Sequence, residues 1–179
     1  VVFSLCTVDS TLFFTTPEHV FRSDDLGNTI YPVFTFSGYV YPAVASGGGP
    51  SLFWYQTMPG PDCLYESSDK GLTYDTIPLA GLPANIGFGP VCRLGGNIWL
   101  STTAGTYMRN DLQPQWTLKS PVSFTRMEIL EGVLTAGSSQ GVFRLDTILN
   151  QWLPENSGLE TLDVRGLCSN DGNLYLATG

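Results

Sequence analysis

The feature that most constrains this chain is a short turn that occurs twice with one spacing. Residues 67–74 read Ser-Ser-Asp-Lys-Gly-Leu-Thr-Tyr and residues 23–30 read Ser-Asp-Asp-Leu-Gly-Asn-Thr-Ile, so both contain Ser-x-Asp-x-Gly-x-Thr. These residue types in this order describe a tight hairpin. Ser and Asp side chains bond back to the turn's own backbone, Gly supplies a positive φ, and Thr with its successor resumes an extended strand. A hairpin signal that recurs at a distance points to a repeated unit, and the chain between the two copies supports that. An apolar or aromatic residue before the turn is followed nine positions later by another: Phe21 and Ile30, Tyr65 and Tyr74, Tyr107 and Trp116, Phe143 and Trp152. The first members of these pairs lie 44, 42 and 36 residues apart.

A second register agrees. Leu5-Cys6, Val91-Cys92 and Leu167-Cys168 each precede an aromatic-centred stretch, Leu12-Phe13-Phe14, Ile98-Trp99-Leu100 and Leu174-Tyr175-Leu176. Alternation and turn residues predict strands at 2–8, 11–16, 19–23 and 29–36, then 41–46, 51–57, 63–67 and 73–78. They continue at 90–94, 97–102, 106–109 and 115–118, then 126–130, 132–136, 141–145 and 151–154, and finally 164–169 and 173–178. Four short strands per unit at a period near 40 residues predict an all-β fold, a β-propeller of four-stranded antiparallel blades. The units are 1–39, 40–85, 86–123 and 124–161, with 162–179 as the first half of a fifth. That arithmetic leaves an open strand edge at 173–178 and predicts a part of a larger propeller. The remaining blades come from the same polypeptide or from another protein chain.

Composition narrows the function classes. The chain is 42% hydrophobic and 13% charged, which suits a packed domain rather than a disordered one. A formal charge of −8, with eight Lys and Arg and no basic cluster, disfavours nucleic acid and anionic membranes as partners. No apolar run reaches the length that spans a bilayer, so membrane insertion is not expected. The chain opens at Val1-Val2-Phe3 without an initiator Met, which reads as a mature product or a piece of a longer polypeptide.

On the turn at Ser23, Asp25, Gly27 and Thr29 and its copy at Ser67, Asp69, Gly71 and Thr73, the chain resembles the Asp-box (BNR-like) propeller repeats of sialidases, sortilin-type receptors and secreted bacterial proteins. Unit three keeps Asp111 and Trp116 of that pattern and unit four keeps Trp152. The stretches 151–159 and 170–179 are similar to secreted Bacteroidetes-type repeat proteins. The resemblance implies an extracellular or cell-surface location. It also implies that the turn joins the two outer strands of a blade, away from the ligand face, so that Asp25 and Asp69 stabilise the turn. One fold hosts many functions, and the resemblance specifies architecture more than activity.

The candidate chemistry is thin. Cys6, Cys92 and Cys168 occupy equivalent positions in separate units, so they are expected as small buried thiols rather than disulfide partners. Cys63 falls in the insertion around 58–62. His19 is the one histidine and no Cys-x-x-Cys occurs, so neither a metal site nor a cofactor is expected, and a Ser-His-Asp triad has little support. Sialidase-like glycoside hydrolysis is the enzymatic alternative implied by the resemblance, with catalytic residues partly outside this chain. It needs arginines that converge on a carboxylate. Arg22 and Arg144 instead share one repeat position, with Arg109 one residue further on, and the family's early Arg-Ile-Pro is absent.

A non-enzymatic binding or structural scaffold is the expected function, with a protein or glycan ligand on the loop face. That face consists of 17–19, 57–62, 103–105 and 137–140, with 37–39, 80–89, 120–125 and 155–163. Arg126 and Arg165, at what read as matching blade starts, are the candidate ligand-binding pair for an acidic group. Phe13, Phe53, Trp99 and Tyr175 share the middle of the second strand and are expected to pack between blades, whereas Trp54 breaks the pattern.

Overall fold

A computed structural model describes residues 1–36, 43–46, 51–56, 63–170 and 172–179. The loops expected at 37–39 and 57–62, with the insertion around 58–62 and the start of the strand expected from 41, lie outside these residues. The described residues form strands and turns without a helix, and so no helix is long and apolar enough to cross a membrane.

Blade one contains β1 (Ser4–Val8), β2 (Thr11–Thr15), β3 (His19–Ser23) and β4 (Tyr31–Thr35). Blade two contains β5 (Ala43–Ser46), β6 (Leu52–Gln56), β7 (Cys63–Ser67) and β8 (Asp75–Ile77). Blade three contains β9 (Phe88–Leu94), β10 (Asn97–Thr102), β11 (Gly105–Asn110) and β12 (Gln113–Ser120). Blade four contains β13 (Arg126–Leu130), β14 (Val133–Ser138), β15 (Gly141–Asp146) and β16 (Gln151–Pro154), and among the described residues a last sheet holds β17 (Val164–Asn170) and β18 (Asn173–Thr178). Every sheet is an antiparallel meander in chain order, as a propeller blade requires. The chain divides into two compact units, Val1–Leu79 with blades one and two, and Ala80–Gly179 with the rest.

The nine-residue offset seen in the sequence has a geometric cause. Phe21 lies opposite Pro32, Tyr65 opposite Thr76, Tyr107 opposite Leu118 and Phe143 opposite Pro154, eleven residues on in each blade. The residue nine positions on therefore lies two before that partner, inside the outer strand for Trp116 and Trp152 and just ahead of it for Ile30 and Tyr74. A constant offset reports a constant register of the outer strand pair.

The register also sorts each blade into two faces. One, here the leading face, carries the cross-strand rows Leu5–Phe14–Phe21, Trp54–Tyr65, Val91–Leu100–Tyr107, Met127–Ala136–Phe143 and Leu167–Leu176. The other, the trailing face, carries Cys6–Phe13–Arg22, Phe53–Glu66, Cys92–Trp99–Met108, Glu128–Thr135–Arg144 and Cys168–Tyr175. In the first unit, trailing residues Cys6, Val8, Phe13, Val20 and Phe34 share one core with leading residues Leu52, Trp54 and Tyr65. In the second, trailing residues Cys92, Trp99 and Met108 share a core with leading residues Met127, Ala136 and Leu145. The trailing face of blade four meets Val164 and Leu167 through Gly137, where an added Cβ would stand 2.6 Å from Val164 Cγ1. Only glycine allows that approach.

Several expectations need correction. Strands β4 and β8 start later than predicted because Thr29 and Thr73 are still tied into their turns. Cys63 is the first residue of β7, paired with Gln56, which agrees with the strand expected at 63–67 and not with placing this cysteine in the insertion. All four cysteines are thiols, and Cys6, Cys92 and Cys168 each face the strand-two aromatic, Phe13, Trp99 and Tyr175. Cys168 and Tyr175 are nevertheless exposed, because within the described residues no sheet lies over their face. Trp54 is fully buried on the leading face, stacked on Tyr65 at 5.8 Å and crossed by Phe34 and Tyr74, so it is a core residue.

Candidate functional site

The two Ser-x-Asp-x-Gly-x-Thr turns have one hydrogen-bond plan. Ser23 ends β3 with its side chain buried, donates to Asp25 Oδ1 at 2.9 Å and accepts the Gly27 N–H at 2.8 Å. Asp25 then accepts the Thr29 N–H at 2.8 Å and the Thr29 hydroxyl at 2.7 Å. In the second copy Ser67 donates to Asp69 at 2.8 Å and accepts the Gly71 N–H at 2.8 Å, and Thr73 closes the turn on Asp69 at 2.8 and 2.6 Å. Leu26-Gly27 and Lys70-Gly71 both lie in the left-handed region, at φ of 58° and 92° and of 59° and 83°. Sequence reasoning found the glycine and missed its non-glycine neighbour.

Each turn carboxylate accepts three donors, which favours its charged form. The Thr73 hydroxyl and amide, then the Ser67 hydroxyl, hold Asp69 at about 2. The Thr29 amide and hydroxyl, then the Ser23 hydroxyl, hold Asp25 below its ordinary value. Local donors thus satisfy both carboxylates.

The second turn is also docked on blade one. Arg22 donates to the Lys70 carbonyl at 2.9 Å, Lys70 Nζ pairs with Asp9 at 3.0 Å, and a Cβ on Gly71 would lie 3.1 Å from Val33 Cγ2. Arg22 simultaneously grips Asp24 at 2.9 and 3.0 Å, and Asp24 also accepts the Thr11 and Tyr31 hydroxyls. The Tyr31 hydroxyl first, then Arg22, hold Asp24 at about 2. Asp24 is the x of the first motif, a position the spacing left unassigned.

Blades three and four end their outer hairpins differently. Asn110 Oδ1 accepts the Leu112 N–H at 2.8 Å, while Asp111 turns away to bind Arg93 at 2.9 Å. In blade four Asp146 Oδ1 accepts the Ile148 and Leu149 N–H groups at 2.8 and 2.9 Å. Asp146 sits outside the Ser-x-Asp spacing, so the only sequence signal was an Asp at a strand end.

The arginines are held individually. Arg109 lies over the Trp116 ring at 5.9 Å, Arg144 reaches Glu155 at 3.4 Å, and Arg165 binds Asp163 at 2.8 Å. Arg126 donates to the Thr125 carbonyl at 3.1 Å and is exposed. Arg126 and Arg165 do not occupy matching positions. Glu128 and Cys168 are equivalent in register, which aligns Arg126 with Gly166 and leaves Arg165 in the irregularity between Val164 and Gly166. A bulge of this kind carries no sequence signature.

Glu128, which sequence reasoning did not single out, takes the place of the thiols on the trailing face of blade four. Burial raises its carboxyl, and the Arg126 guanidinium works in the opposite sense. Among the described residues no three of His, Cys, Asp and Glu gather closely enough to hold a metal ion.

No family model and no curated protein matches the chain. Its fold is similar to that of several solved structures. The extracellular domain of BT4673 from B. thetaiotaomicron matches with a TM-score of 0.65 at 12% identity, over 99% of this chain and 26% of that one. PorZ, a surface component of the type-IX secretion system of Porphyromonas gingivalis, matches at 0.66 and 13% identity, over 99% of this chain and 31% of its own. An ancestral GH74 enzyme matches at 0.59 and 15% identity, over 99% of this chain and 32% of its own. The chain therefore spans about a quarter to a third of the length of these proteins, and identities this low establish the β-propeller fold alone. A surface component and an enzyme both use this fold, so architecture does not choose between them.

Proposed function

We propose that this chain is part of a non-enzymatic propeller that binds or scaffolds other molecules in a secreted or cell-surface protein, and that its turns belong to the Asp-box class. The observation that carries this reading is the engagement of the arginines. A sialidase-type site must keep guanidinium groups open toward a substrate carboxylate. Here Arg22, Arg93, Arg144 and Arg165 each face a carboxylate of their own, and Arg109 lies on a tryptophan. Asp25 and Asp69, the repeated acids, are consumed by their own turns. Extracellular placement rests on the likeness to the BT4673 extracellular domain and PorZ.

A protein or glycan ligand is taken on the loop face, with the exposed Arg126 as the side chain that meets an acidic group. Arg165 joins it once its ion pair with Asp163 opens. The remaining blades come from the same polypeptide or from another chain. The test combines turnover of a fluorogenic sialoside with retention on glycan and protein arrays. The expected result is no turnover and retention that Arg126→Ala weakens by about tenfold, about 1.4 kcal/mol. Sialoside hydrolysis above background by the purified chain would overturn the reading in favour of a hydrolase.

A further inference from the structure

The outermost strand of blade two has little of its own to hold it. β8 is three residues long, pairs with β7 at Ile77–Leu64, Thr76–Tyr65 and Asp75–Glu66, and buries only Ile77. Just ahead of it, Tyr74 meets the Trp54 and Tyr65 rings at 5.6 and 5.7 Å. A strand this short, exposed at its first two positions, lies at the low end of local opening free energies.

Further anchorage crosses the seam from blade one, within the same compact unit. The Phe34 ring meets Tyr74 at 4.9 Å, and Val33 fills the space beside Gly71. Arg22 of β3 sends Nη1 to the Lys70 carbonyl at 2.9 Å while its Nε stays on Asp24. The Arg22 side chain is only 14% exposed, so this bond is sheltered from water. Asp24 is fixed in turn by the Thr11 and Tyr31 hydroxyls. Lys70 holds a φ of 59°, and Arg22 bonds to its backbone carbonyl rather than to its side chain. The contact is not a general property of the repeat. Register places Glu66 and Met108 at the Arg22 position of blades two and three, and neither an ionised carboxylate nor a thioether donates to a carbonyl.

We infer that residues 69–77 form a strap over the outer edge of β7, held shut from blade one by Arg22. Releasing Arg22 opens the strap locally and bares the β7 edge, a row of backbone donors and acceptors. The core beneath, with Phe13, Leu52 and Trp54, stays closed because apolar burial holds it. This device belongs to the outer rim and does not rest on the binding function proposed above, so either can fail alone.

Residue-resolved hydrogen exchange on the folded chain provides the test, with Arg22→Gln and the milder Arg22→Lys, whose ammonium lacks the planar fork that holds Asp24 and the Lys70 carbonyl together. Losing a bond from a charged donor should speed exchange of the 71–77 amides by at least about tenfold in Arg22→Gln, with β10 and β14 unchanged. Arg22→Lys should give a smaller rise at the same amides, and it carries the test if Arg22→Gln does not fold. Lys70→Gly is the counterpart. It removes the ion pair with Asp9 but keeps the carbonyl and accepts a positive φ, so the strap should stay shut. Unchanged exchange at 71–77, a rise confined to β3 and β4, or an equal rise in every blade would overturn the inference. So would a Lys70→Gly chain as open as Arg22→Gln.

Discussion

Replacing Ser67 by Ala removes one oxygen atom that both donates and accepts, with a longer third bond from the Asp69 N–H at 3.4 Å. Ser67 Oγ accepts the Gly71 N–H at 2.8 Å and donates to the Asp69 carboxylate at 2.8 Å. Ser67 and Gly71 are both buried, so water does not replace the lost acceptor and the Gly71 amide is left unsatisfied. Each hydrogen bond contributes about 1 kcal/mol net, and an orphaned buried donor adds to the loss, so the cost is about 2 kcal/mol. For a chain of this size that lowers Tm by about 4–8 °C. Ser23→Ala breaks the equivalent pair of bonds, but Gly27 is only half-buried and solvent reaches its amide, so that cost is about 1 kcal/mol. Ser68→Ala, at an exposed motif position, is the control and stays near wild type. Thermal melts followed by far-UV circular dichroism, with urea melts for the free energies, give the ranking directly. A Ser67→Ala protein as stable as Ser68→Ala, or no less stable than Ser23→Ala, would refute the claim that this hydroxyl holds a buried turn.

Four further outcomes follow from the same geometry. Asp69 is lowered in the fold from an ordinary 3.8 to about 2, so its stabilisation is present above about pH 4 and lost as pH falls toward 2; Asp69→Asn should flatten that part of the stability profile in acid melts. Gly71→Ala should destabilise more than Gly27→Ala, because a Cβ at 71 meets Val33 at 3.1 Å while one at 27 meets nothing within 4 Å; Val33→Ala should recover part of the difference in a double-mutant cycle. Native-state alkylation followed by mass spectrometry should label Cys168 first and Cys92 last, with no disulfide found among Cys6, Cys92 and Cys168. Trp54→Ala should cost about 3–5 kcal/mol in urea melts, since the ring is fully enclosed on the leading face of blade two.

What could be read from the sequence follows what a repeat encodes locally. Strand positions were accessible because alternation, turn residues and a near-40-residue period reinforce one another. β3, β7, β10, β13, β16 and β18 span the residues that pattern indicates. The pattern makes β4 and β8 too long because Thr29 and Thr73 look like strand residues, yet their hydroxyls and amides belong to the preceding Asp. Cys168 and Tyr175 were expected inside because their repeat partners are inside. Burial is set by a neighbouring sheet, which sequence equivalence does not supply. The placement of Arg165 depended on a register irregularity, and that of Trp54 on which face of β6 its neighbour Phe53 takes. Asp24, Asp146 and Glu128 acquire their partners through the fold and carry no motif of their own.

Residue-resolved amide hydrogen exchange tests the blade architecture most directly. β2, β6, β10 and β14 each have a ladder partner on both sides, so their amides should be protected without alternation. β18 is their repeat equivalent but pairs only with β17 among the described residues. Its amides should therefore alternate between protected and freely exchanging at low protein concentration. Alternating protection in β18 together with continuous protection in β14 is the predicted result. Continuous protection along β18, or free exchange of alternate amides in β14, would contradict the assignment of four complete blades and a two-stranded fifth sheet.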